Sequence, residues 1–470
     1  MPRPDGQGGI MDYDILFEPT KIGDVKIKNR MVMAPMNMVY SDPDGYCSEQ
    51  WLAWYAARAK GGFGLIITDA TVVNPYTWRG SDHLNTHLFT DERYGRRLGI
   101  LADHIHAFGA KVFIQLSPGF GRQGHASAAT PHLAAGAPSA IPMRIDLRNL
   151  NKGWERQLKR LAPKLVEDLG GLDTIRALND KQYAELEKVL EQVLRSEDPS
   201  LLKVWKGEVP REITVDEIVF LEEKMAEMSA EALRYGFDGV EIHSPHGYLI
   251  HEFLSSRSNK RTDEYGGSLE NRARFLLNII RKIRKRIGPD RVLGARFSGD
   301  ELMPEGVTNE EMKQFVAMAA KEGLTYINIS QGCYENPAAF EPDGEGDMLK
   351  YAPGFKEASG LPVITPTFMT PKAAAALKEG KTDLVALGRQ AIADPFWPAK
   401  VKAGREKDIV KCARCNTCLM NLFEHKWLRC KVNPTAGFEK YIPELWRLSA
   451  PTVKAKVEKF MAKAEGLPLI

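Results

Sequence analysis

Residues 238–243 read DGVEIH, one of eight short, β-prone runs that recur along the chain. Runs that do not alternate regularly between apolar and polar residues are typical of parallel strands covered on both faces. Helical patterns separate most of them, and several of these helices are predicted to end at a glycine just before the next run. Eight strand–helix units predict an α/β fold of the (β/α)8 TIM-barrel type, with a doubly wound open sheet as the alternative. The other seven runs are RMVMAP (30–35), GLIITD (64–69), KVFIQL (111–116), VLGARF (292–297), TYINIS (325–330), LPVITP (361–366) and DLVALG (383–388).

The composition is that of an ordinary globular protein with a large core. The chain has 470 residues, of which 43% are hydrophobic and 27% are charged. A net charge of +3 gives no electrostatic argument for a nucleic acid or an anionic membrane as a partner, and no apolar run is long enough to span a bilayer. Residues 1–10 lack the apolar core of a secretory signal and are interpreted as a flexible leader. We therefore expect a cytoplasmic protein, in which clustered cysteines more often bind metal than form disulfides.

Residues 141–212 interrupt the strand–helix rhythm after the third predicted strand. Two stretches within them carry apolar residues at helical spacing, and Asn179 can cap the second helix while Gln182 reaches back. This charged, helical insertion belongs to a loop at the rim where barrel active sites lie. A substrate lid, a partner surface and a loop without a chemical role all stay open as interpretations.

Three side chains that can bind and protonate a carbonyl compound follow the fourth predicted strand. His243 and His246 are three residues apart, and Tyr248 comes two residues later. Imidazoles can donate hydrogen bonds to a carbonyl oxygen, and a phenol can deliver a proton. Arg296, on the fifth strand, adds a fixed cation at the same rim. A single histidine at a strand end is most often structural, but this combination favours a catalytic site.

The segments after the last two strands predict a phosphate site, which is where this fold usually has one. Gly388 and Arg389 lie between the eighth strand and a following helix, where backbone N–H groups and a guanidinium suit a phosphate monoester. Thr367 and Phe368 follow the seventh strand and could add N–H donors. This spacing predicts a phosphorylated ligand without saying which one.

Residues 411–430, KCARCNTCLMNLFEHKWLRC, hold four of the six cysteines. Three closely spaced cysteines and a remote fourth suit a cubane [4Fe–4S] cluster. Structural zinc, which normally uses two separated pairs of ligands, is the alternative. The predicted ligands are Cys412, Cys415, Cys418 and Cys430.

The longest informative block, residues 246–275, resembles the signature of the Old Yellow Enzyme family of FMN-dependent ene-reductases. Four further blocks match that family in the same order, and the resemblance covers about residues 11–400. With the cysteine run it extends to about residue 437 and narrows to a branch similar to 2,4-dienoyl-CoA reductase and the clostridial bile-acid and 2-enoate reductases. The matching blocks are HGYLIHEFLSSRSNKRTDEYGGSLENRARF (246–275), KNRMVMAPM (28–36), GGFGLIITDATVV (61–73), GFDGVEIH (236–243) and DLVALGRQAIADP (383–395).

The resemblance implies a role for each candidate side chain. His243 and His246 would bind the substrate carbonyl, and Tyr248 would be the proton donor. Arg296 would stabilise the anionic reduced flavin. The remaining implied flavin contacts are Ala34, Pro35, Met36 and Asn37 along the ring, Ala70 and Gln115 on the isoalloxazine, and Gly388 and Arg389, with Thr367 and Phe368, at the phosphate.

The resemblance implies reduction of an activated C=C bond, as in an enoyl-CoA or a steroid or bile-acid enone, with electrons relayed through the cluster. Two alternatives stay open: an electron-transfer flavo-iron-sulfur subunit, and an amine dehydrogenase of the same branch. The intact clamp of His243, His246 and Tyr248 favours the ene-reductase, because a relay needs no group that holds a carbonyl. A small unsaturated carbonyl compound is the expected substrate, and a homo-oligomer stays open.

The sequence departs from the family at three places. Residues 115–122 read QLSPGFGR where the family has a histidine, residues 366–368 read PTF where it has a glycine, and the second and third clustered cysteines are one residue closer than usual. The branch also carries a dinucleotide domain after the cysteines, and no Gly-rich fingerprint occurs up to Ile470. We therefore expect a separate electron-donor protein, with NAD(P)H as a direct or indirect source.

The expected domain organisation follows from these assignments. Residues 11–400 form the FMN-binding TIM barrel, with residues 141–212 as its helical insertion. Residues 401–440 form the [4Fe–4S]-binding segment. Residues 441–470 form a loop and an amphipathic helix.

Overall fold

The computed structural model describes residues 13–74, 87–124, 135–161, 163–168, 170–197, 205–340, 345–366, 370–423 and 426–448. The leader at residues 1–10, most of the predicted C-terminal helix, and Thr367 and Phe368 lie outside these ranges. Within them, no helix is both long enough and apolar enough to cross a membrane.

Eight parallel strands form a closed barrel, so the TIM-barrel prediction is confirmed and the open-sheet alternative is wrong. Each strand pairs in parallel with its sequence neighbours, and the eighth returns to pair with the first. Each predicted run contains one of these strands, almost every residue of which is buried, as expected for parallel strands covered on both faces. The barrel strands are β1 Met31–Met33, β2 Leu65–Ile67, β3 Lys111–Ser117, β4 Gly239–His243, β5 Val292–Ser298, β6 Tyr326–Ser330, β7 Val363–Pro366 and β8 Leu384–Leu387.

Helices cover the outside of the barrel and begin at residues that suit helix starts. Thr214 and Thr308 each accept a hydrogen bond from the backbone N–H three residues later, and the glutamate at that later position bonds back, which completes a capping box at both helices. The helices are α1 Glu49–Lys60, α2 Glu92–Ala107, α3 Lys152–Leu161, α4 Pro163–Asp168, α5 Leu172–Arg176, α6 Asp180–Glu197, α7 Val215–Arg234, α8 Leu249–Leu254, α9 Leu269–Ile287, α10 Asn309–Lys321, α11 Pro337–Phe340, α12 Ala352–Ser359, α13 Thr370–Lys378, α14 Arg389–Ala393, α15 Trp397–Lys402, α16 Thr417–Phe423 and α17 Pro443–Trp446. Short strands outside the barrel are Thr20–Ile22 paired with Val25–Ile27, Thr71–Val72 beside β3, and Gly136–Ala137 paired with Arg211–Glu212.

Helices α3 to α6 lie between β3 and β4, within the segment where the sequence predicted a helical insertion. Asn179 and Gln182 make the predicted reciprocal cap, each side chain accepting from the other residue's backbone N–H at 3.0 Å. The apolar side chains of these helices form a cluster of their own, which includes Trp154 and Tyr183. Met420 of α16 belongs to the same cluster. The insertion therefore packs against the cysteine-bearing segment.

A buried ion pair fastens the C-terminal segment to the barrel. Arg58 of α1 donates to Glu439 at 2.9 Å, and the two side chains are 0% and 1% exposed. Gln50 and the backbone N–H of Gly437 also donate to this carboxylate, at 2.7 and 2.8 Å. Arg58 lies over the ring of Trp54, 3.3 Å from its centroid. Each charge is thus desolvated and lies against an opposite charge, which is the condition under which burial is tolerated, although Nη2 of Arg58 has no hydrogen-bond partner among the described residues.

We predict that Glu439→Gln lowers the free energy of unfolding by about 3 kcal/mol, because it leaves the Arg58 guanidinium buried without a counter-charge. Denaturant unfolding gives this difference directly. Limited proteolysis should also cut the C-terminal segment sooner in the variant. Glu444→Gln, at an exposed site on the same segment, is the matched control and should change stability little. Equal stability of Glu439→Gln and the parent would show that the pair does not hold the segment in place.

Candidate active site

The carboxyl ends of all eight strands surround one cavity, and the predicted site residues line it. Every predicted cofactor and substrate residue in the described part of the chain is among its walls. Thr367 and Phe368 lie outside the described residues, so their assignment stays a prediction. The predicted residues that line the cavity are Ala34, Pro35, Met36, Asn37, Ala70, Gln115, His243, His246, Tyr248, Arg296, Gly388 and Arg389.

His243, His246 and Tyr248 form a compact group at the end of β4. The ring centre of His243 lies 5.7 Å from that of His246 and 5.1 Å from that of Tyr248. His246 adopts a left-handed backbone conformation, with φ of 68°, which is uncommon outside glycine. Its backbone N–H donates to the Ser298 hydroxyl at 3.1 Å, and its Nε2 lies 2.5 Å from the Ser330 hydroxyl. Hydrogen bonds to the last residues of β5 and β6 thus hold the strained turn.

Desolvation governs the protonation of this group. Burial, reinforced by the charge of Arg296, holds the pKa of both His243 and His246 well below the usual value. Both imidazoles are therefore neutral near pH 7, and each carries one N–H donor. Desolvation raises the pKa of Tyr248 to about 12, although the hydrogen bond with Tyr334 acts in the opposite direction. The phenol accordingly keeps its proton until a strong base develops beside it.

The buried guanidinium of Arg296 and the side-chain amide of Gln115 suit the pyrimidine end of a flavin. The Arg296 guanidinium donates to the backbone oxygen of Pro35 and to Ser330 at 3.3 and 3.2 Å, while its buried Nε has no hydrogen-bond partner among the described residues. Gln115 donates to Glu241 at 2.7 Å, which fixes the amide in the cavity wall. An unpaired buried donor on a cation favours a ligand that presents an anionic or carbonyl edge. These residues fit FMN.

The loop at residues 115–122, where the sequence departs from the family pattern, forms part of the cavity wall. Gly121 has φ of 62°, and a Cβ there would lie 2.2 Å from a carboxylate oxygen of Glu252, so the loop requires glycine at this position. The loop places Phe120 in the cavity wall. The planes of the Phe120 and Tyr248 rings are at 61° to each other, and the ring centroids are 6.0 Å apart. At this loop the cavity wall is therefore aromatic.

Three aromatic residues of the site, Phe120, Tyr334 and Phe340, were missed by the sequence analysis. Tyr334 and Phe340 line the cavity after β6, and the Tyr334 hydroxyl lies 3.1 Å from that of Tyr248. Reading the end of the sixth strand as closely as that of the fourth would have marked Tyr334, because every strand end of a barrel faces the same rim.

The four clustered cysteines form a loop and a short helix beside the same cavity, and Cys418 lines it. Arg414 and Asn416, which lie between the first three cysteines, have φ of 50° and 54°. Positive φ at two non-glycine residues marks a strained, tightly wound loop. Among the described residues, no three of the four sulfurs lie within 4.8 Å of one another. Thiolates on one zinc would be only about 3.8 Å apart, given Zn–S bonds of about 2.3 Å.

Hydrogen bonds connect this cysteine loop to the predicted phosphate site. Arg389 donates to the Asn416 side chain at 2.8 Å. The next residue, Gln390, accepts from the backbone N–H of Cys412 at 3.0 Å and donates to the backbone oxygen of Val410 at 2.8 Å. The residues that follow β8 therefore contact both the cavity and the cysteines.

The sequence profile of the NADH:flavin oxidoreductase / NADH oxidase family matches residues 15–160 and 156–408. An NADH oxidase of Thermoanaerobacter brockii is 34% identical over 453 residues, which cover 94% of this chain and 59% of that protein. The structure of a 2-naphthoyl-CoA reductase in complex with 2-naphthoyl-CoA is similar, with a TM-score of 0.73, 28% identity, and coverage of 91% of this chain and 58% of the other. Histamine dehydrogenase from Rhizobium sp. 4-9 gives a TM-score of 0.70 and 26% identity, with coverage of 91% and 53%. The chain thus spans between half and three fifths of the length of these relatives.

We predict that stability falls as the pH is lowered below about 6.5, and that His243 and His246 contribute to the slope. The unfolded chain binds a proton at each histidine near that pH, whereas the folded cavity does not, so acid favours unfolding. Each histidine should contribute about 1.4 kcal/mol per pH unit. Denaturant unfolding at several pH values, for the parent and the His243→Asn/His246→Asn variant, measures the difference. Identical slopes would mean that the two imidazoles protonate normally in the folded protein.

Proposed function

Because the chain belongs to the NADH:flavin oxidoreductase / NADH oxidase family, we propose that it is an FMN-dependent oxidoreductase that reduces the activated C=C bond of an α,β-unsaturated carbonyl compound. The observation that carries this proposal is the group of two neutral imidazoles and one phenol at a single strand end, beside a buried cation. A clamp of this kind binds a carbonyl oxygen and delivers a proton near it.

The histidines and the tyrosine of the clamp have different roles toward the substrate. His243 and His246 donate hydrogen bonds to the carbonyl oxygen, which draws electron density from the C=C bond and stabilises the developing enolate. Tyr248 donates its proton to the α-carbon. Bound FMN supplies the hydride that reaches the β-carbon. Phe120, Phe340 and Tyr334 give the substrate aromatic walls, which supports a flat, conjugated substrate.

Backbone and side-chain groups around the rim hold the flavin in this proposal. Arg296 and Gln115 contact the pyrimidine edge, while Gly388 and Arg389 hold the phosphate. Ala34, Pro35, Met36, Asn37 and Ala70 line the ring. A Cβ at Gly388 would lie 3.4 Å from the Met36 sulfur, so a larger residue there would crowd the wall of the phosphate site.

The four cysteines bind a [4Fe–4S] cluster in this proposal. Three closely spaced cysteines with a remote fourth support a cluster over a single zinc ion. Such a cluster passes single electrons, so it requires a donor. A separate donor protein, fed directly or indirectly by NAD(P)H, is part of the proposal.

The rival functions make different use of the same residues. Similarity to histamine dehydrogenase supports the amine dehydrogenase, which would bind a basic amine. None of the described residues that line the cavity is acidic, so a positively charged amine would find no counter-charge there. A pure electron relay leaves the clamp without a purpose. The cytoplasmic location and the domain boundaries stay predictions from the sequence, and a homo-oligomer stays open.

We predict that anaerobically purified protein contains one FMN, four iron atoms and four sulfides per chain. Metal analysis, acid-labile sulfide analysis and the absorbance spectrum measure these quantities. Cys412→Ser should lose the iron but keep the flavin, because Arg296 and the phosphate site remain. Cys47→Ser, at a buried cysteine outside the predicted ligand set, is the control and should keep both. One zinc per chain with no iron or sulfide would contradict the cluster.

We predict that Tyr248→Phe slows the oxidative half-reaction with an enone by roughly a hundredfold or more, because it removes the general acid. Dithionite-reduced protein is mixed anaerobically with 2-cyclohexenone, and the return of oxidised flavin absorbance is followed. Flavin reduction should be nearly unchanged. Tyr441→Phe, which alters an exposed tyrosine, should behave as the parent does. A variant that oxidises at the parental rate would show that another acid supplies the proton.

A further inference from the structure

We propose that Tyr334 is a positioning residue for proton delivery: its hydroxyl holds the Tyr248 phenol in place and donates to the Tyr248 oxygen after that proton has left. The inference rests on the proposed function, because it concerns the step in which Tyr248 protonates the substrate. Tyr334 lies four residues beyond β6 and lines the same cavity as the clamp.

The two phenols meet at their hydroxyl groups. In the resting protein the Tyr248 hydroxyl donates to that of Tyr334, with 3.1 Å between the oxygens. The rings approach edge to face, with centroids 5.5 Å apart and planes at 75°. Phe340 packs against the other side of Tyr334, with 4.3 Å between centroids. Because aromatic contacts fix both rings, a hydroxyl could be removed from either one without a change of ring position.

The backbone also fixes Tyr334 relative to the clamp. Its backbone N–H donates to the backbone oxygen of His246 at 3.3 Å. The backbones of Cys333 and His246 also pair as an isolated parallel β-bridge. Gly332, just before, has φ of 67°, and a Cβ there would lie 2.7 Å from the backbone N of Phe340. The turn that carries His246 and Tyr248 is therefore fastened to the turn that carries Tyr334.

The hydrogen bond between Tyr248 and Tyr334 matters because Tyr248 loses its proton to the substrate. As the new C–H bond forms at the α-carbon, the Tyr248 O–H bond breaks and its electron pair stays on the phenol oxygen. A phenolate oxygen can only accept hydrogen bonds, so the contact with Tyr334 must reverse and Tyr334 must donate. The Tyr334 O–H bond stays intact, and a proton from solvent later restores Tyr248. Desolvation makes the phenolate costly, and a hydrogen bond from Tyr334 offsets part of that cost, consistent with its lowering effect on the pKa of Tyr248.

Tyr334→Phe tests the proposal, since it keeps the ring and removes the hydroxyl. Dithionite-reduced parent and variant are mixed anaerobically with 2-cyclohexenone in H2O and in D2O. We expect flavin reoxidation to slow by roughly tenfold to a hundredfold, the range for a hydrogen bond to a charged group. The solvent isotope effect should increase, because proton transfer becomes more rate-limiting, and flavin reduction should not change.

A double-mutant cycle separates positioning from packing. If Tyr334 acts through Tyr248, adding Tyr334→Phe to Tyr248→Phe should change the rate by less than about twofold. Tyr351→Phe is the control: it removes the hydroxyl of a buried tyrosine that is not among the residues lining the cavity, and it should leave the rate and the isotope effect at the parental values. The proposal would be overturned if the rate loss of the double variant equalled the product of the two single losses. It would also be overturned if Tyr334→Phe had the parental rate and the parental isotope effect.

A second measurement does not depend on turnover. Ultraviolet titration of a ring-fluorinated tyrosine incorporated in place of Tyr248, whose phenol is more acidic than that of tyrosine, reports the ionisation at this position at a pH where the protein stays folded. Tyr334→Phe should move it to higher pH, because the stabilising donor is gone. If the parent reduces no enone, the proposed function fails while this titration still decides the hydrogen bond. An unchanged titration would contradict the role of Tyr334.

Discussion

The buried ion pair between Arg58 and Glu439 is the contact on which the position of the cysteine segment depends. Its partners are 381 residues apart in the chain, and neither charge can be left in the interior alone without a large cost. A buried pair is weak evidence for net stability, because desolvation offsets much of the attraction. Its consequence is positional: the segment must sit where Glu439 meets Arg58, and Cys430 is thereby brought to the barrel. Arg58 also donates to the backbone oxygen of Ala391, in the helix that follows β8.

The same helix connects the cysteines to the cavity. The Gln390 side chain makes hydrogen bonds to the backbone of Val410 and Cys412, and Arg389 donates to the Asn416 side chain. The loop that carries the first three cysteines therefore packs against the residues that line the predicted phosphate site. Cys418 reaches the cavity itself. A rigid connection of this kind favours electron transfer between the two proposed cofactors, because it keeps their separation constant.

The fold and much of the cavity were predictable for a physical reason. Parallel strands buried on both faces read as short apolar runs, and a closed barrel brings all their carboxyl ends together, so His243, Arg296 and Gly388 could be assigned to one rim from strand ends alone. The capping box at Asn179 was predictable because it is local. Contacts between distant segments were not: no sequence pattern pairs Arg58 with Glu439, or Met420 with the insertion. The position of Tyr334 after the sixth strand assigns it to the same rim, but only the structure shows its contact with Tyr248.

The central claim is that the cavity reduces a C=C bond next to a carbonyl group. The most direct measurement is identification of the product after a single anaerobic turnover of fully reduced protein with 2-cyclohexenone, by mass spectrometry and NMR. The account predicts cyclohexanone, formed in proportion to the electrons lost by the protein, with the carbonyl group intact. Recovery of unchanged enone or formation of the allylic alcohol, together with oxidation of a simple amine by the oxidised protein, would contradict it.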